Sequence, residues 1–103
     1  SSGNKAGVEA GYRALIVWAM QDAHQLSLKL GNTSDAQLCL DIINRMKKKI
    51  LPHNNLKQAA SLMAITGLMD PQQACDEVVS VDGGKGFSTF LRVLYAGSIS
   101  QSR

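Results

Sequence analysis

The sequence predicts an all-α fold, a compact bundle of five to six antiparallel helices, and three observations lead to it. Apolar residues recur at spacings of three and four along successive segments, the repeat of one helix face. Start and stop signals of several independent kinds bracket those segments, and roughly two to six residues connect them, as in helical bundles. No stretch alternates apolar and polar residues in the manner of a half-buried strand, and no internal repeat is present.

The first helix is expected from about Ala6 to Leu30. Val8, Tyr12, Leu15, Ile16, Ala19, Ala23, Leu26 and Leu30 form its expected buried stripe, with Gln21, Asp22, Gln25 and Lys29 mostly on the other side. Gly31-Asn32 ends it, because glycine accepts the left-handed conformation that closes a helix. Ser34-Asp35-Ala36-Gln37 reads as a capping box opening the second helix, in which Ser34 caps and Gln37 reaches back. Leu38, Cys39, Ile42, Ile43, Met46 and Ile50 make its stripe. Lys47-Lys48-Lys49 falls in its last turn, where the helix dipole favours positive charge, and Pro52 stops it.

Asn54 or Asn55 is the expected cap of a third helix with Leu56, Ala59, Ala60, Leu62 and Met63 as its apolar face, closed by Gly67. Asp70-Pro71 opens a fourth, with aspartate at the cap and proline in the first turn. Ala74, Cys75, Val78 and Val79 are its stripe. Asp82-Gly83-Gly84-Lys85-Gly86 reads as a helix-breaking loop, and a fifth helix is expected from about Phe87 to Ala96, burying Phe87, Phe90, Leu91 and Leu94. The opening Ser1-Ser2-Gly3 reads as a cloning remnant. Residues 1–5 are therefore set apart as a disordered start, 6–97 as one helical domain and 98–103 as a polar tail.

A chain of 103 residues supports one hydrophobic core and not two. No apolar run approaches the roughly 18 residues that would span a bilayer, so no membrane insertion is expected. The net charge of +3 permits an acidic partner or nucleic acid without requiring either. Cys39 and Cys75 share no CxxC spacing and fall on apolar faces, which predicts two buried thiols in a reducing compartment and a cytoplasmic location. Asn32-Thr33-Ser34 matches a glycosylation sequon, a triplet that chance supplies often.

Catalytic chemistry is not expected. His24 and His53 are the only histidines, and neither stands at metal-ligand spacing with another donor. Asp76 and Glu77 are adjacent, so on a helix they point about 100° apart and read as a solvated face. His53 is expected to shape the turn after Pro52. The glycines and lysine at 83–86 lack the spacing of a phosphate loop and follow Asp82, which repels anions. The expectation is no enzyme, no cofactor and no metal.

The strongest charge feature is the basic run Arg45, Lys47, Lys48, Lys49, readable as a partner-binding patch or as a solvated, dipole-compensating helix end. Asp76, Glu77 and Asp82 form an acidic counterpart. Trp18 lies off the main stripe of the first helix, where it serves core packing or acts as an interface anchor.

From about Leu38 to Gly97 the order of features resembles a caspase recruitment domain, a six-helix member of the death fold. Met46-Lys47-Lys48-Lys49-Ile50-Leu51 followed by Pro52 to Leu62 is similar to the family's basic helix end and short third helix. Met69-Asp70-Pro71 to Val81 resembles its fourth helix. Lys85-Gly86-Phe87-Ser88-Thr89-Phe90-Leu91-Arg92-Val93-Leu94 resembles its Lys-Gly loop and following helix. Family members commonly pair a basic surface on the first and fourth helices with an acidic one on the second and third, whereas here the basic run is on the second.

The resemblance implies a death-fold-like protein-interaction module, with a protein partner that includes a second copy of itself, acting in signalling or assembly. The alternative is a small helical nucleic-acid-binding domain, of viral type for instance, using Arg45 to Lys49 with Lys57 and Lys85. A third reading is a structural piece of a larger protein.

Overall fold

A computed structural model describes residues 4–82. Those residues are all-helical, in four helices: α1 (Lys5–Lys29), α2 (Thr33–Lys47), α3 (Lys57–Ile65) and α4 (Pro71–Asp82). The expected fifth helix, with Phe87, Phe90, Leu91 and Leu94, and the loop around Lys85 lie outside the described residues. Among the described residues no helix is long and apolar enough to cross a membrane.

Local chemistry explains the boundaries. Gly31, at φ 73°, closes α1 in a paired arrangement: its N–H donates to Leu28 O (3.1 Å) and that of Asn32 to Ser27 O (2.8 Å), the two bonds of a Schellman motif. Asn32 is then the cap of α2, its Oδ1 accepting from the Asp35 N–H at 3.1 Å. This corrects the expected capping box: the Ser34 hydroxyl donates to Asn32 Oδ1 (3.2 Å) and lies two residues too late to cap. Asp70 caps α4 as expected, accepting from the Gln73 N–H at 3.1 Å with Pro71 in the first turn.

α2 ends at Lys47, with Lys48 at its C-cap, so Lys49 and Ile50 lie beyond the helix and Pro52 does not stop it. The end comes where Arg13 reaches across from α1 and donates through one Nη to Met46 O (3.2 Å) and Lys49 O (3.0 Å). Arg13 thereby adds to the long turn bond that Met46 O accepts from the Lys49 N–H (3.4 Å) and supplies a donor to Lys49 O beyond the helix end. Gln21 does the same for α3, donating to the Thr66 carbonyl at 3.0 Å.

These bonds also fix direction. Arg13 beside Met46 and Lys49 makes α1 and α2 antiparallel, whereas Gly7 beside His53 and Leu56, and Gly11 beside Ala59, make α3 run with α1. α1 packs on both α2 and α3, and α3 packs on α4.

Alanine dominates the core. Ala10 and Ala14 of α1 pack with Met63 of α3, and Ala60 and Ala64 of α3 pack with Ala74 and Val78 of α4. Small side chains let the helix backbones approach closely, and at Gly7 the connection before α3 comes close to α1. A Cβ there would stand 2.6 Å from the His53 carbonyl oxygen and 2.9 Å from Leu56 Cδ1.

The inner face of α1 is thus Gly7, Ala10, Ala14 and Val17, which overturns the stripe expected from the sequence. Val8, Tyr12, Leu15, Ile16, Leu26 and Leu30 are exposed, as are Leu38 and Ile50 from the expected stripe of α2. Cys39 is buried and Cys75 half-buried, both as free thiols.

Candidate functional site

The outward face of α1 gathers the large apolar side chains that the interior does not use. Tyr12 is 65% exposed, Leu26 58% and Leu30 74%, with Val8, Leu15 and Ile16 between 40% and 45%. They share one side of the helix because positions three or four apart stack along a face, and that side points away from the alanine contacts with α3.

Near the start of α1 this face opens into a shallow apolar groove of about 210 Å³ against α3. Gly11 and Ala59 form its floor. Val8, Tyr12 and Leu15 make one wall, with Leu56 and Leu62 on the other. An added Cβ at Gly11 would stand 3.4 Å from Ala59 Cβ, at the edge of ordinary contact.

The basic run lies at the far end of α2. Arg45, Lys47, Lys48 and Lys49 are all exposed, and the Arg13 guanidinium joins them through its bonds to Met46 O and Lys49 O. Sequence separation hides that fifth cation. No periodicity rule links positions 13 and 49, and only the antiparallel pairing of α1 with α2 brings them together.

The acidic group is divided. Asp76 is exposed and accepts from Gln72 Nε2 at 2.9 Å. Glu77 accepts from Gln73 Nε2 at 2.9 Å and, at 2.6 Å, from the buried His53. Hydrogen bonds from Gln73 first and His53 second hold the Glu77 carboxyl below its ordinary pKa. Glu77 is therefore not the freely solvated carboxylate expected. Asp82 is the last described residue of α4, and its side chain lies outside the described residues.

His53 does shape its turn. Its Nδ1 accepts from the Asn55 N–H at 3.0 Å, which leaves Nε2 as the protonated nitrogen that donates to Glu77. The Leu56 N–H closes the turn on His53 O at 3.0 Å. Asn54 and Asn55, at φ 50° and 65°, occupy its two left-handed positions, a conformation asparagine tolerates well. That geometry corrects the expected cap: the residue at the start of α3 is Leu56, with no side-chain cap bond.

The His53–Glu77 pair lines an open hollow of about 700 Å³ with Leu51, Met63 and Met69. His53 and Glu77 tie the connection before α3 to the middle of α4. Among the described residues no group of three His, Cys, Asp or Glu is placed to hold a metal ion.

No protein-family model, curated protein or solved structure matches this chain. Its functional reading therefore rests on these surfaces.

Trp18 is half-buried, between the packed and outward sides of α1. The sequence did carry a signal for the inner face, since Gly7, Ala10, Ala14, Val17 and Gln21 recur at three and four. Ranking by hydrophobicity passes over a stripe made of small residues.

Proposed function

We propose that this chain is a non-enzymatic protein-interaction module, a death-fold-like helical bundle acting by homotypic or charge-complementary association in signalling or assembly. The observation that carries this reading is the exposure of Val8, Tyr12, Leu15, Leu26 and Leu30 on one face of α1. Monomeric globular proteins rarely leave a contiguous apolar patch of more than a few hundred Å² uncovered, and larger ones mark interaction sites. Arg45, Lys47, Lys48 and Lys49 supply an exposed basic patch that steers encounter with an acidic surface. Of the acidic counterpart, Asp76 is exposed, and the bonds Glu77 makes to His53 and Gln73 weaken its part in an intermolecular patch.

Light scattering coupled to size-exclusion chromatography tests the reading. Reversible association that rises with concentration and responds to salt is expected. A strict monomer at high concentration and low salt overturns it.

A second reading is favoured by one observation, the joining of Arg13 to the basic run. It is a nucleic-acid-binding surface built on Arg45 to Lys49. That surface predicts binding that weakens steeply with salt and is lost when Lys48 and Lys49 become Glu. No RNA or DNA binding at low salt removes it.

A further inference from the structure

We propose that the outward face of α1 pairs antiparallel with the same face of a second copy, on a two-fold axis at Ala19. The inference rests on the interaction-module reading and names the occupant of its apolar face. Its first support is the spacing of that face. Val8, Ala19 and Leu30 stand eleven residues apart, and Tyr12, Leu15, Ala23 and Leu26 fill both intervals in the same order of steps: four, three, four. An eleven-residue apolar repeat stays close to the 3.6-residue period of a straight helix, so the seam neither drifts off the face nor demands a left-handed supercoil.

The second support is symmetry. The pattern reads the same from either end, so each seam position meets an apolar one when α1 is laid antiparallel on itself about Ala19. Val8 then faces Leu30 of the other copy, Tyr12 faces Leu26, and Leu15 faces Ala23. Ala19 meets its own equivalent. A two-fold interface must be self-complementary in this way. Large residues oppose smaller ones in the middle, and Ala19, exposed and small, sits where the backbones must come nearest.

Area gives the third support. The seam runs roughly 33 Å at 1.5 Å per residue. The exposed parts of Val8, Tyr12, Leu15, Leu26 and Leu30 offer at most on the order of 600 Å² per copy, about three-quarters of the ~800 Å² per partner of a standard interface. The buried side of α1, Gly7, Ala10, Ala14 and Val17, is the opposite one, and α3 borders the outward face only across the groove beside Val8, Tyr12 and Leu15, so pairing does not require the protomer to rearrange.

The test is disulfide trapping of the full chain in a Cys39→Ser, Cys75→Ser background. A residue near a two-fold axis can cross-link to its own equivalent, because helices in close contact bring the two Cα atoms within disulfide range. Ala19→Cys should give a covalent dimer on mild oxidation. Gln25→Cys, exposed on another side of α1, should stay largely uncoupled.

In parallel, Ala19→Glu places two like charges at the axis and should weaken association by at least about tenfold in sedimentation equilibrium, with the circular dichroism of the helices retained. Association that survives Ala19→Glu, with no preference for cross-linking at position 19, sinks the α1 pairing and leaves the interaction reading standing. A strict monomer at high concentration sinks both, and covering of the face by the apolar positions Phe87 to Leu94 of the same chain is then the reading that remains.

Discussion

The two sides of α1 invert the usual relation between residue size and burial. Gly7, Ala10, Ala14 and Val17 face α3 and the core, while Val8, Tyr12, Leu15, Leu26 and Leu30 face outward. The inner side is selected for close approach, since small residues let α1 lie against α3 with Met63 filling the space between Ala10 and Ala14. The outer side holds most of the helix's transferable apolar surface and contributes little to the protomer. Hydrophobicity and packing are separate demands here, and they fall on opposite faces of one helix.

Substitutions can break or sharpen that contrast. The largest effect is expected at Met63, 2% exposed and the largest fully buried side chain. Met63→Ala should cost about 2–5 kcal/mol in urea unfolding, since alanine neighbours cannot collapse into the gap.

The two glycines of α1 should then separate in sign. Gly7→Ala drives a Cβ to 2.6 Å from the His53 carbonyl and should destabilise by about 1–3 kcal/mol. Gly11→Ala meets Ala59 Cβ at ordinary contact and should gain about 0.5–1 kcal/mol from helix propensity. The same sign at both sites would refute the close approach at Gly7.

Asn32→Ala removes the cap of α2 and should cost about 1 kcal/mol. The Glu77 carboxyl has its folded-state pKa lowered by Gln73 and His53, so its stabilising effect is full above the unfolded value near 4.5 and is lost as pH falls through the lower folded value. Acid unfolding of Glu77→Gln should show a weaker pH dependence in that window than the parent chain.

Smallest of all, Leu26→Ser on the outer face should change unfolding free energy by no more than about 0.5 kcal/mol. That measurement belongs at the lowest workable protein concentration, because association would add its own stability.

Helix content was legible from start and stop chemistry that is local in sequence. Gly31, Gly67 and Asp70-Pro71 act through their own backbone or the next turn, and each stands at an observed boundary. The Ser34 cap failed by two residues because Asn32, already ordered by the end of α1, is an equally good acceptor in a better place. The facing of α1 was illegible for a different reason. Two stripes of the same period coexist on it, and the choice between them depends on α3, whose alanines admit only a slim partner. Arg13 and Gln21, polar yet turned toward neighbouring helices, are explained by carbonyls that exist only once α2 and α3 have ended.

The basic run was readable as charge, but its fifth member was not. His53 was readable as a turn residue, whereas its bond to Glu77 spans 24 positions and required the docking of α4.

An interior of alanines also has a thermal consequence. The heat-capacity change of unfolding scales with the apolar area newly given to water, about 0.45 cal/mol/K per Å², and an alanine has little to give. The isolated protomer should therefore have a shallow dome of stability against temperature, losing little on cooling and melting over a broad range. Whatever covers the outer face of α1 would add the heat capacity that the core lacks, so the curvature of that dome reports on the occupancy of a surface that the interior never touches.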